Sequence, residues 1–133
     1  MNEEKLYNEW NKQKVLLQTS ETKGQPYPRE GEVWMSFVGK NIGFEQNGAE
    51  EGFSRPVLVI KKFNNKIYWI VPLSSRQKSI NFYYNFTDPN NLFVSLIMAQ
   101  LRLISIKRFK RKMYDMPCGI FESVRIKLME YLI

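Results

Sequence analysis

Residues 56–63 read PVLVIKKF and residues 66–73 read KIYWIVPL, two apolar runs rich in β-branched and aromatic side chains and separated by Asn64 and Asn65. Val57-Leu58-Val59-Ile60 has no polar face, so it fits a strand covered on both sides inside a sheet. Asparagine tolerates positive φ, which makes a two-residue hairpin turn at Asn64-Asn65 the expected link between the two strands. Pro56 lacks a ladder donor and is expected to open its strand, which sets the boundary beside Arg55. This pair commits the chain to a β architecture.

The flanking sequence extends it. Residues 32–38 (EVWMSFV), 80–86 (INFYYNF) and 93–104 (FVSLIMAQLRLI) read as further strands, with a polar loop over 39–54 and a turn signal at 87–91. Phe121, Val124, Leu128 and Leu132 recur at helical spacing with Ile120 and Tyr131 beside them, which predicts a closing helix. Leu6, Tyr7, Trp10 and Leu17 share a face over residues 2–18, which predicts an N-terminal helix; residues 19–31, with two prolines and two glycines, read as a linker. The expectation is a mainly β (α+β) chain in two parts. Residues 1–28 form a helical extension, and residues 29–133 form a small, strongly bent antiparallel sheet or barrel with a C-terminal helix.

The 133 residues suffice for one core. No apolar run approaches the ~20 residues of a membrane helix, the first residues are too polar for a signal peptide, and the single Cys118 cannot form an internal disulfide. Cytoplasm is therefore the expected compartment. The absence of histidine removes histidine metal sites, Ser-His-Asp and Cys-His systems and paired-histidine ribonuclease chemistry, and no phosphate-binding glycine motif is present. No metal or cofactor is expected. Chemistry must come from Arg, Lys, Ser, Thr, Tyr, Asp or Glu.

Charge is unevenly placed. Residues 30–60 carry two basic and five acidic side chains, whereas residues 61–133 carry thirteen basic and four acidic, a net +9 within a total of +7. A basic half fits an anionic partner, or a solvated lysine-rich surface. The run 107–114 has five basic residues at its first six positions; it reads either as a track for a nucleic-acid backbone or as a charged loop before the last helix. Tyr68, Trp69, Phe82, Tyr83 and Tyr84 form a dense aromatic set, about half of it inward by strand alternation. Arg55 itself has two readings: a strand-end arginine paired with Glu50 or Glu51, or a guanidinium placed where a loop meets a rigid strand to act on phosphate.

Gly31-Glu32-Val33-Trp34, then Gly43 with Glu45-Gln46, then Arg55-Pro56-Val57-Leu58-Val59-Ile60, then Val71-Pro72-Leu73-Ser74-Ser75, then Gln100-Leu101-Arg102-Leu103-Ile104 occur in this order. Together they resemble the PemK/MazF family of toxin endoribonucleases, from about residue 29 to the end. The resemblance implies an SH3-like barrel, usually a symmetric homodimer, whose groove takes single-stranded RNA. It implies metal-independent cleavage by the neighbouring 2′-hydroxyl to a 2′,3′-cyclic phosphate, and a cognate antitoxin whose acidic segment fills the groove. By the same match Arg55 is the catalytic arginine, with Ser74 and Glu45 as its partners in catalysis. Gln46, Ser75, Arg76, Gln100 and Arg102 are expected to contact RNA, with Lys107 and Arg108 extending the path.

Two departures from the family pattern concern the general base. Ala99 stands where many members carry an acid before the glutamine, and the histidine that some members use is missing. The loop between Glu45 and Arg55 is also long and acidic, and is expected to lie over the groove. An alternative reading from another class keeps the barrel and drops the chemistry, giving a binding module or inhibitor of the DNA gyrase-poison kind.

Overall fold

A computed structural model of the chain describes residues 2–21, 26–48 and 52–133. It contains helix α1 (Glu3–Thr19), strands β1 (Glu32–Phe37), β2 (Ser54–Lys62), β3 (Ile67–Ser74), β4 (Tyr83–Thr87), β5 (Phe93–Ile97), β6 (Arg102–Ser105) and β7 (Phe109–Asp115), and helix α2 (Cys118–Glu130). Every strand pairing is antiparallel. The path runs β4-β5-β3-β2-β1-β7, with β6 also on β3. The result is the expected mainly β fold with a helix at either end, drawn as a bent sheet whose recorded pairings leave it open.

The apolar run of β2 is buried on both faces because the sheet curls. Val57 and Val59 point into one cluster with Trp34, Tyr68, Ile70, Ile104 and Phe109. Leu58 and Ile60 point into the other with Val33, Val71, Leu96, Met98 and Val124. Period-two alternation thus sends neighbouring residues of one strand into two cores, and α2 covers the second through Val124. Each fully buried aliphatic side chain contributes about 1.5–3 kcal/mol.

Four local expectations need correction. The predicted strand 93–104 is broken by a 3₁₀ turn at Met98–Gln100, so β5 and β6 lie end to end along one edge of β3, meeting Leu73–Ser74 and Ile67–Ile70 respectively. The link at Asn64-Asn65 is not a positive-φ turn: among described non-glycine residues only Phe53 and Asn91 have positive φ. Instead the Asn64 side chain accepts from the amides of Lys66 (2.7 Å) and Ile67 (3.0 Å), so an Asx turn makes the reversal. Pro56 does not open β2, which begins at Ser54; it sits opposite Met35, just before the β2–β3 pairing starts at Val57. Finally, the basic run is not a loop. Residues 109–115 form β7, the edge strand beside β1, with charged side chains on the exposed flank that resist further strand addition.

Glu32 ties the ends of this core together. Its Oε1 accepts from the Arg29 amide (2.7 Å) and the Trp34 indole (3.0 Å), and Oε2 lies 3.0 Å from Lys112 Nζ. Burial alone pushes its pKa up, but these hydrogen bonds and the lysine charge outweigh that and hold it below the ordinary carboxylate value. No described helix is long and apolar enough to cross a membrane.

Candidate active site

The loop that follows β1 is built on a knot at Gly39. The amides of Val38 and Gly39 both donate to the Phe53 carbonyl at 3.0 Å, and Gly48 N donates to Gly39 O at 2.8 Å. Gly39 has φ +94°, a left-handed conformation open to glycine at little cost. Within the loop, Asn41 acts as a brace: its Nδ2 donates to Val38 O (3.2 Å) and Gln46 O (2.7 Å), and its amide donates to the Asn47 side chain. The arrangement folds the loop so that residues 44–47 face the end of β2.

Arg55 is received there. Its Nε donates to Asn47 O (2.7 Å) and its Nη1 to Leu73 O (2.9 Å). With the Gln46 amide oxygen turned to the guanidinium, it accepts from Nη2 at 2.7 Å and Nε at 3.2 Å. The arginine is therefore oriented by carbonyl oxygens of the loop and of β3, at the residue directly before Ser74. The Glu50 and Glu51 partners considered from sequence, and the idea that their part of the loop covers the groove, lie outside the described residues.

Gln100, set by the break between β5 and β6, bridges the second side. Its Oε1 accepts from Gln46 N at 3.3 Å and its Nε2 donates to Phe44 O at 3.1 Å. Glu45, Gln46, Pro72, Ala99, Gln100 and Arg102 line a groove of about 370 Å³. Arg102 donates to Val38 O at 3.4 Å; burial lowers its pKa, with the Glu45 charge acting in the opposite sense. Phe44, next to Glu45, is fully exposed at the loop tip.

The structure thus gathers Glu45, Gln46, Arg55, Gln100 and Arg102 about one loop, with Ser74 at its edge. Ser74 Oγ accepts from the Arg76 amide at 3.2 Å, while Ser75 and Arg76 are exposed as the chain leaves β3. Lys107 and Arg108 are placed differently. Arg108 Nη1 donates to Phe37 O (3.0 Å) and Val38 O (3.3 Å) with its guanidinium 5.6 Å from the Trp10 ring, and burial followed by the like charge of Arg102 lowers its pKa. Lys107 Nζ donates to Gln18 O at the end of α1. Lys107 thus holds α1, and Arg108 holds α1 and the end of β1.

Sequence reasoning missed Asn41 and Asn47. Their only signal was a pair of asparagines flanking the Glu45-Gln46 element, and Asn47 serves Arg55 through its backbone oxygen. A larger, mainly apolar groove of about 530 Å³ lies between α2 and the Trp69 side of β3, and none of the expected site residues line it. Among the described residues no three His, Cys, Asp or Glu side chains gather where they can hold a metal ion.

A family profile for the PemK-like, MazF-like toxin of type II toxin–antitoxin systems matches residues 29–132. The chain belongs to this family. Solved structures agree at the level of the fold. MazF (Form-I) from Deinococcus radiodurans superposes with a TM-score of 0.64 at 22% identity, over 81% of this chain and 98% of that one. The MazE–MazF (Form-II) structure from the same organism gives 0.60 at 20% identity, over 81% and 97%. No match was found among curated proteins. The PemK/MazF-like part begins after α1, so that helix is an addition to what the family profile describes.

Proposed function

We propose that this chain is an endoribonuclease toxin that cuts single-stranded RNA without a metal: the 2′-hydroxyl loses its proton and attacks its own phosphodiester, the bond to the 5′-oxygen breaks, and that oxygen leaves protonated. The nucleophile belongs to the substrate, which makes RNA and not DNA the target. The reaction needs positive charge on the pentavalent phosphorus centre, and a guanidinium supplies it as a rigid fork that stays charged at working pH. Preorganised charge of this kind is typically the largest catalytic contribution.

The observation that carries the reading is the Arg55–Leu73 hydrogen bond of 2.9 Å, which brings the guanidinium to the residue next to Ser74. Arg55 then neutralises the phosphorane oxygens, and the Ser74 hydroxyl steadies the phosphate or the 2′-oxygen. Glu45 is the carboxylate on the groove and is assigned to the proton or to orienting the basic groups around it. Gln46, Gln100 and Arg102 hold the strand, with Ser75 and Arg76 at its exit. The reading also brings a cytoplasmic site of action, a second copy of this chain, and an antitoxin whose acidic segment competes with RNA; MazE is the partner in the Deinococcus complex.

The test is incubation of purified protein with end-labelled single-stranded RNA in excess EDTA, wild type beside Arg55→Ala. Cleavage to 2′,3′-cyclic phosphate ends that is lost in Arg55→Ala supports the enzyme. Intact RNA together with tight capture of a protein target supports the binding-module reading instead.

A further inference from the structure

We infer that α1 is a clamp on the catalytic loop, with Trp10 as a positioning residue that sets where Gln46 and Asn47 hold Arg55. The inference rests on the nuclease reading for its kinetic consequence, and on geometry alone for the clamp. α1 lies outside residues 29–132, yet its one buried side chain is spent on the stem of the loop. Trp10, 4% exposed, seats its indole against Gly39, where a Cβ would come within 2.4 Å of the ring. The ring also meets Phe53 at 5.6 Å, so it touches both stems, before and after the loop. Arg108 stacks on it at 5.6 Å while donating to Phe37 and Val38 carbonyls, which fixes the end of β1 to the helix.

A second grip lies one turn earlier. Tyr7 Oη donates to the Asn41 carbonyl, and Lys40 sits between the Glu3 carboxylate (3.2 Å) and the Tyr7 ring (5.7 Å). Asn41 is the brace that bonds Gln46 O and the Asn47 side chain, and both of those residues hold Arg55. Two short routes therefore run from the helix to the guanidinium. One passes from Tyr7 through Asn41, the other from Trp10 through Gly39 to Gly48. Clamping matters for a loop because a catalytic group on a mobile segment spends most of its time out of reach, and restraint converts that lost occupancy into rate.

The experiment compares full-length wild type, Trp10→Ala, Trp10→Phe and Tyr7→Phe by amide hydrogen exchange and by steady-state cleavage of a labelled single-stranded RNA. In Trp10→Ala the amides of Gln46 and Gly48 exchange faster, while those of Val59 and Ile70 keep wild-type protection. The kcat falls by up to about 100-fold, with KM within about two-fold of wild type. Trp10→Phe restores most of both. Should Trp10→Ala fail to fold, Tyr7→Phe decides, since loss of one exposed hydroxyl leaves the core intact and must still speed exchange at Gln46. Loop exchange equal to wild type in the variants that fold overturns the clamp. So does a loss confined to KM, which makes α1 a substrate-binding element. A wild type that cleaves no RNA sinks the nuclease reading, and the exchange data then still decide the clamp.

Discussion

Gly48→Ala isolates the loop from the sheet. A Cβ at Gly48 would lie 1.9 Å from the Phe53 carbonyl oxygen and 2.0 Å from its carbon, so the obstacle is backbone and cannot rotate aside. Reaching the 3.4 Å of ordinary contact requires the two segments to part by roughly 1.5 Å. That movement takes the Gly48–Gly39 hydrogen bond of 2.8 Å and the Arg55–Asn47 bond of 2.7 Å out of range. A backbone hydrogen bond is worth about 0.5–1.5 kcal/mol and one from a charged donor about 1.5–3 kcal/mol, so the loss is expected at about 2–4.5 kcal/mol. Because the strain falls outside both apolar clusters, urea unfolding should stay cooperative with a lower midpoint. RNA cleavage should fall as well, by about 100-fold for a displacement near 1 Å. A Gly48→Ala protein with the wild-type midpoint and rate would show that Gly48 and Phe53 part freely and do not position the arginine.

Acid should unfold the protein partly through Glu32. Its folded pKa is held below the unfolded value, so its stabilisation is present above the unfolded pKa and is lost as pH falls through the folded one. Glu32→Gln should lower the melting temperature at neutral pH and flatten its decline as pH falls below the ordinary carboxylate value; identical acid limbs in thermal melts would refute this. Phe44→Ala should leave the melting temperature unchanged, since the ring is fully exposed, yet weaken single-stranded RNA binding by about 1–3 kcal/mol in anisotropy titrations. Unchanged affinity would remove that ring from the interface.

The strands legible from sequence were those whose side chains follow their burial. β2 and β3 declared themselves because Val57 to Ile60 and Ile70 to Leu73 are buried on both faces. β7 did not, because an edge strand beside β1 needs only Phe109 fully inside, and lysine and arginine occupy most of its exposed positions. The break at Met98–Gln100 was invisible in a run of apolar residues; only pairing with two stretches of β3 reveals it. In the site, Arg55, Glu45, Gln46 and Gln100 were found as side chains through the family pattern. Two of the groups that hold Arg55 are the backbone carbonyls of Asn47 and Leu73, and a carbonyl is common to every residue type, so it leaves no trace in a sequence. The use of Lys107 and Arg108 against α1 was equally hidden, since it depends on where the helix docks.

The corner between Ile97 and Arg102 frees evolution at one point of the sheet. Because β5 and β6 each take their register from β3 separately, a residue gained or lost in the corner need not turn either strand inside out. With Met98 kept in its core, Gln100 can thus be moved along the groove while the pairing of both strands with β3 stays as it is. Length variation at this joint is a cheap route by which chains sharing one scaffold would come to line this groove differently.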